Sequence, residues 1–185
     1  MADPIFTLSS TNPFGLSNAG TDSSPTLVDI DGDSDLDAFI GNSSGNTLFF
    51  RNNGTTINPA FAVPATNPFG LKDVGFWSSP SFVDIDHDGD MDLFVGGLAD
   101  AKKYGVAQSS YLLLNNGSGV FNVATAQQIN LGNQGIITSA AFADINKDGW
   151  DELLITGEWM PLRIFMNNKG NFTAKDVPAS TGLWQ

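Results

Sequence analysis

Cysteine is absent from the 185 residues, so no disulfide staples this chain and no thiol nucleophile or thiolate metal site is available. Histidine occurs once, at His87. A Ser-His-Asp triad therefore has little support, although Ser23-Ser24 and Ser78-Ser79 lie near acids. Bases are scarce: 8 Lys and Arg face 20 acids, for a formal net charge of −12. That balance repels phosphate backbones and argues against nucleic acid as a partner. No apolar run approaches the roughly 20 residues that cross a bilayer as a helix, so no membrane insertion is expected. Met1-Ala2-Asp3-Pro4 does not read as a signal peptide. No helical pattern of useful length, linker or low-complexity segment is visible. What is plentiful is turn chemistry, 20 Gly and 9 Pro, which suits many short strands.

The densest chemistry is Asp84-Ile85-Asp86-His87-Asp88-Gly89-Asp90-Met91-Asp92. Acids stand at loop positions 1, 3, 5, 7 and 9, with glycine at 6. Carboxylates this close repel one another, and a hard cation with oxygen ligands relieves the repulsion. Ca²⁺ is the usual one, because it accepts flexible coordination by 6–8 oxygens. An EF-hand is excluded: its position 12 requires Glu, and here that place is Val95, with short β-prone runs in place of flanking helices. The loop recurs as Asp29-Ile30-Asp31-Gly32-Asp33-Ser34-Asp35-Leu36-Asp37 and as Asp144-Ile145-Asn146-Lys147-Asp148-Gly149-Trp150-Asp151-Glu152. The copies start 55 and then 60 residues apart, a period that points to a repeat array.

Three Ca²⁺ sites per chain are expected. Asp29, Asp31, Asp33 and Asp37 ligate through side chains, and Asp35 through its backbone carbonyl. Asp84, Asp86, Asp88 and Asp92 do the same, with Asp90 at position 7. Ser34 replaces the glycine at position 6, which strains the turn or shifts it onto Gly32. The third set is Asp144, Asn146, Asp148, the Trp150 carbonyl and Glu152, weaker for having three carboxylates. Three such ions would bring the charge of −12 to about −6, an ordinary surface. His87, at the unconstrained position 4, reads as a solvent-facing spectator.

Each unit has the same strand grammar. Pro25-Thr26-Leu27-Val28 enters the first loop, Ala38-Phe39-Ile40 leaves it, and Thr47-Leu48-Phe49-Phe50 runs into Asn52-Asn53-Gly54, a hairpin signal. Ala60-Phe61-Ala62-Val63 is the expected fourth strand. Tyr111–Leu114 before Asn115-Asn116-Gly117, and Leu162–Met166 before Asn167-Asn168-Lys169-Gly170, repeat the third strand and its turn. An insertion at Leu98–Gln108 reads as a hairpin tip. Ile5–Leu8, Val120–Val123 and Asn171–Ala174 look like further outer strands.

Phe-Gly ahead of a strand, then Ser-Pro-x-x-Val-Asp-Ile-Asp, the acidic loop and an apolar strand ending in Gly together resemble the FG-GAP/VCBS repeat family. Phe14-Gly15 and Phe69-Gly70 carry the first element, with Leu131-Gly132 in the third unit. The strand ends are Gly41-Asn42-Ser43, Gly96-Gly97-Leu98 and Gly157-Glu158-Trp159. The resemblance implies an all-β fold of integrin-α-like β-propeller blades, each of four antiparallel strands, three blades per chain. Residues 1–185 then form a single half-propeller domain, with units at 4–58, 59–118 and 119–170 and a fourth begun at 171–185. Propellers close with 4–8 blades, so a homodimer completing six is expected. The repeat phase is shared by the two ends, since Gly182-Leu183 repeats Gly15-Leu16 and Gly70-Leu71. A piece of a longer array is the competing reading.

The function so implied is an extracellular or cell-surface, calcium-stabilised module for protein binding or adhesion, and not an enzyme. Export is then encoded in a longer precursor, or the chain starts at an expression boundary. One alternative is a lectin-like module, with Trp77, Trp150, Trp159 or Trp184 stacking on a glycan; packing between blades is the plainer role for these rings. A second is a non-catalytic part of a larger propeller enzyme.

Overall fold

The computed structural model describes residues 11–97, 110–117, 119–125, 128–131, 134–158, 160–175 and 177. These form three four-stranded antiparallel sheets, each consecutive in the chain. The first comprises β1 (Ser24–Val28), β2 (Asp37–Gly41), β3 (Thr47–Phe50) and β4 (Ala65–Thr66). β5 (Ser79–Val83), β6 (Asp92–Gly96), β7 (Tyr111–Asn115) and β8 (Phe121–Val123) make the second. β9 (Ile136–Ala143), β10 (Glu152–Glu158), β11 (Arg163–Asn168) and β12 (Asn171–Lys175) make the third. Apart from a 3-10 turn at Pro13–Gly15, the described residues contain no helix, and none long and apolar enough to cross a membrane.

Burial explains the composition of the strands. β6 is buried along its whole length and β2 at four of five positions, because both faces of each sheet's middle are covered and polar alternation has no place there. The outer strands β8 and β12 are mostly exposed, each burying only its phenylalanine, Phe121 and Phe172. The closest contact between sheets falls on their first two strands, β5 packing beside β1 and β2, and β9 beside β5 and β6. The Thr26 hydroxyl donates to the Pro80 carbonyl at 3.1 Å across the first of these seams.

Two apolar cores fill the seams. Val28, Phe39 and Phe49 meet Leu93, Val95 and Leu113 between the first and second sheets. Val83, Phe94 and Leu112 meet Ile137, Leu153 and Phe165 between the second and third. The segment linking β4 to β5 enters the first seam, with Phe69 lying 5.2 Å from Phe49 and 5.1 Å from Phe121, ring to ring.

Two expectations are corrected. The fourth strand of the first unit is Ala65–Thr66, paired with Phe49 and Leu48, while of Ala60–Val63 only Phe61 makes an isolated bridge, to Asn52. Pro64 interrupts the ladder between them, since it has no N–H to donate. The turn also does not fall at Asn53-Gly54. Thr55 and Asn58 exchange backbone hydrogen bonds of 3.1 Å and close the hairpin farther out, because the Asn52 side chain has captured the amides of Gly54 and Ala60 at 3.0 and 2.8 Å. The insertion at 98–108 and the segments 5–8 and 182–183 lie outside the described residues, as do Trp159 and Trp184.

Candidate metal centres

All three acidic loops join the first strand of a sheet to its second, so they sit on one rim of the molecule. Their backbones are built alike. The first acid accepts amides from within its own loop: Asp29 from Gly32 and Ser34 at 2.8 and 2.9 Å, Asp84 from Gly89 at 3.1 Å, Asp144 from Lys147 and Gly149 at 2.7 and 2.9 Å. The acid at position 5 accepts the amide two residues on, for Asp33, Asp88 and Asp148 at 3.0, 3.0 and 2.9 Å. Positions 4 and 6 are both left-handed in every copy: Gly32 and Ser34, His87 and Gly89, Lys147 and Gly149. Ser34 therefore adopts φ 72° itself; the turn does not shift onto Gly32.

The carboxylates converge. One oxygen each from Asp29, Asp31 and Asp33 lies within 4.8 Å of the others, and the same holds for Asp84, Asp86 and Asp88. Several of these oxygens are buried with no hydrogen-bond partner: Oδ1 of Asp31, Asp35, Asp84 and Asp86, and Oδ2 of Asp37. A buried anionic oxygen without a partner is costly, and converging acid oxygens suit a hard cation. The donor chemistry of the first two loops therefore fits Ca²⁺. These side chains would hold the ion, and it would supply the charge that lets the loops stay closed.

Position 9 is a latch as well as a candidate ligand. Asp37 accepts the Asn52 amide at 2.6 Å. Asp92 accepts the amides of Ile85 at 2.9 Å and Asn115 at 2.8 Å. Glu152 accepts the Ile145 amide at 3.0 Å. Burial pushes the Asp37 and Asp92 carboxyls up to about 6, against the pull of those backbone amides. Burial also raises Asp86, with Asp88 adding repulsion. Asp35 was expected to offer only its carbonyl, but its side chain is turned inward. Burial, then the charges of Asp33, Asp31 and Asp29, raise its carboxyl. The Asp90 carboxylate packs on the Gly117 backbone, where a Cβ would displace it.

The third loop differs in kind. Asn146 donates to Asp148 at 2.8 Å and to Glu152 at 3.2 Å and accepts the Asp148 amide at 2.7 Å. Its amide ties together the oxygens that repel one another in the other copies, and no unpartnered buried oxygen occurs there among the described residues. His87, although exposed, is no spectator. It stacks on Trp150 of the third loop with centroids 4.1 Å apart and planes 13° apart, joining the second loop to the third.

Two features escaped the sequence reading. Arg51 places its guanidinium on the Asp31 carboxylate, an internal cation beside the first loop. Asn52, Asn115 and Asn167 are buried, and each stands two residues beyond equivalent ladder partners (Phe50, Leu113 and Phe165). Asn115 donates to the Met91 carbonyl at 3.2 Å, and Asn167 to Asp151 and to Ile85 of the preceding sheet at 3.1 and 3.0 Å. The recurring Asn-Asn is the signal in the sequence, and its first Asn serves the core as well as the turn.

Residues 29–95 and 104–155 match the sequence profile of the FG-GAP-like repeat. No curated protein matches the chain. Among solved structures, an Agrocybe aegerita lectin that specifically recognises non-reducing terminal N-acetylglucosamine is similar in fold, with a TM-score of 0.51 at 23% identity. The likeness covers 83% of this chain and 37% of the lectin.

Proposed function

The chain belongs to the FG-GAP-like repeat family, and from that premise we propose that it is a calcium-stabilised β-propeller module for protein binding or adhesion. Each sheet is a blade in this reading, and two chains make a ring of six. The observation that carries the reading is the set of buried, unpartnered carboxylate oxygens in the first two loops. They give a divalent cation ligands that the folded protein alone leaves unsatisfied. Loops of this kind work where Ca²⁺ is millimolar, which supports an extracellular or cell-surface location. The role is non-enzymatic: the acids of the three loops already serve as turn acceptors or candidate ion ligands, and the only histidine is stacked on Trp150.

Ions that bind only the folded state stabilise it by mass action, about 4 kcal/mol at a thousandfold excess over Kd. Excess EGTA is therefore expected to lower the melting temperature by many degrees, and re-added Ca²⁺ to restore it. A melting curve that chelation leaves unchanged would sink the proposal.

A lectin-like role is the second reading, favoured by a concavity of about 360 Å³ where the three blades meet. Trp77, 45% exposed, lines it beside Asp22, Ser79 and Thr138, and an exposed ring among hydroxyls and a carboxylate suits a sugar. Glycan-array binding that disappears in Trp77→Ala is the expected result. The absence of any array signal for the calcium-loaded protein would remove this reading and leave the first intact.

A further inference from the structure

The outer face of the first sheet repeats, residue for residue, a surface that elsewhere in the molecule is seated on a neighbouring blade. Ladder registers fix the correspondence. Leu27 pairs with Ala38 as Phe82 pairs with Leu93, and in the second sheet Phe82 and Leu93 face the first, with the Phe82 ring 4.7 Å from Phe39. The preceding Phe-Gly turn is duplicated too. Phe14 and Phe69 both have φ 60°, followed by Gly15 and Gly70 at φ 91° and 83°. Phe69 is driven between two sheets, against Phe39 and Phe49. Phe14, held in the same strained conformation, is 57% exposed, and Leu27 is 58% exposed. They border an apolar cleft of about 680 Å³ with Leu16, Leu36 and Ile40.

The matching surface is present in the same chain. Phe39, which receives Phe69 and Phe82, pairs with Thr26 and Phe49. The same place in the third sheet is Leu154, paired with Ala141 and Ile164. These three lie on the face turned away from the second sheet: Ala141 is exposed, and Leu154 and Ile164 are half-buried.

We propose that the first-sheet face around Phe14 and Leu27 docks on the Ala141–Leu154–Ile164 face of a second copy of this chain, and reciprocally. Each junction then reproduces the seam between the first and second sheets, with Phe14 in the place of Phe69 and Leu154 in that of Phe39. A two-fold axis makes the two junctions identical and closes the assembly. Two copies of the three sheets formed by the described residues sum to six, within the usual 4–8. The inference rests on the propeller reading above and names its partner.

Light scattering on the calcium-loaded chain at about 10 μM is expected to give twice the 19.6 kDa chain mass. Phe14→Glu and Ala141→Arg, one on each face and both at exposed positions, are each expected to return the protein to monomer while its melting temperature still responds to Ca²⁺. A native chain that is monomeric overturns the proposal, whatever covers these faces in its place. So does a dimer that survives either substitution, or an open series of larger assemblies. Loss of the calcium response would strike the propeller reading instead, so the two failures are distinct.

Discussion

Asp37 and Asp92 each hold a carboxylate in a buried place where two opposed forces act on it. Burial favours the protonated form and raises both groups from the ordinary 3.8 to about 6, while the amides of Asn52 and Asn115 favour the anion. The sign of the resulting pH dependence follows. Above about pH 6 both groups are charged in the folded protein, and their burial cost is fully present. As pH falls toward 4 the folded state takes up protons that the unfolded state does not, and it gains stability. Calcium-depleted protein is therefore expected to melt at a higher temperature at pH 5 than at pH 7. In excess Ca²⁺ the trend is expected to reverse, because protons then compete with the ion for the same oxygens. Parallel profiles with and without the ion would show that these two acids do not take part in binding it.

At this scale the ligand positions were legible, because acids at alternate positions of a short loop have few other uses. The partners were not. That Arg51 reaches Asp31, that His87 lies on Trp150, and that Asn146 bonds to its own loop depend on which side chains the strands bring together across 20, 63 and 2 positions of chain. Only the last is local, and even there the sequence does not say whether an amide will face an ion or its neighbours.

Among the elements, the second strand of the first sheet shows how closely the sheets pack. Gly41 ends β2 directly under the next sheet, and a Cβ there would lie 1.9 Å from the Ser78 carbonyl oxygen. That oxygen belongs to the backbone and cannot swing away. Gly89, by contrast, has open space around the place of its missing side chain but a φ of 95°. Overpacking costs about 1–3 kcal/mol, and a left-handed backbone about 1–2 kcal/mol. Gly41→Ala is expected to cost about 3 kcal/mol, with damage at the seam of the first two sheets, and Gly89→Ala about 1 kcal/mol, confined to its loop. Urea unfolding of the calcium-loaded chain measures both. Equal losses would show that the glycine at the strand end serves backbone conformation and not close approach.

Strand order and type were readable because apolar runs of four or five residues, bounded by Gly, Pro and Asn, have little alternative to β-structure. The outer strands were read less well. Ala60–Val63 carries strand-like residues, yet Pro64 and the grip of Asn52 on Ala60 move the regular pairing to Ala65–Thr66. An edge strand gains little from burial, so small local effects decide where its ladder begins.

For the whole molecule, the second sheet shares one core with the first and another with the third, so the array is held by its middle. The repeat period, the acidic loops and the all-β character were determined by the sequence alone, because a spacing of 55 and 60 residues between similar acidic patterns is local information copied along the chain. The tertiary structure decided what each copy became. It left unpartnered buried oxygens in the first and second loops, set an arginine beside the first, and closed the third by its own amide. It also decided that Phe69 is a core residue while Phe14, in the same motif and the same conformation, faces outward. The physical reason is that burial belongs to a pair of surfaces: a repeat writes similar residues into every sheet, and only the neighbour a sheet receives settles which of its faces becomes interior.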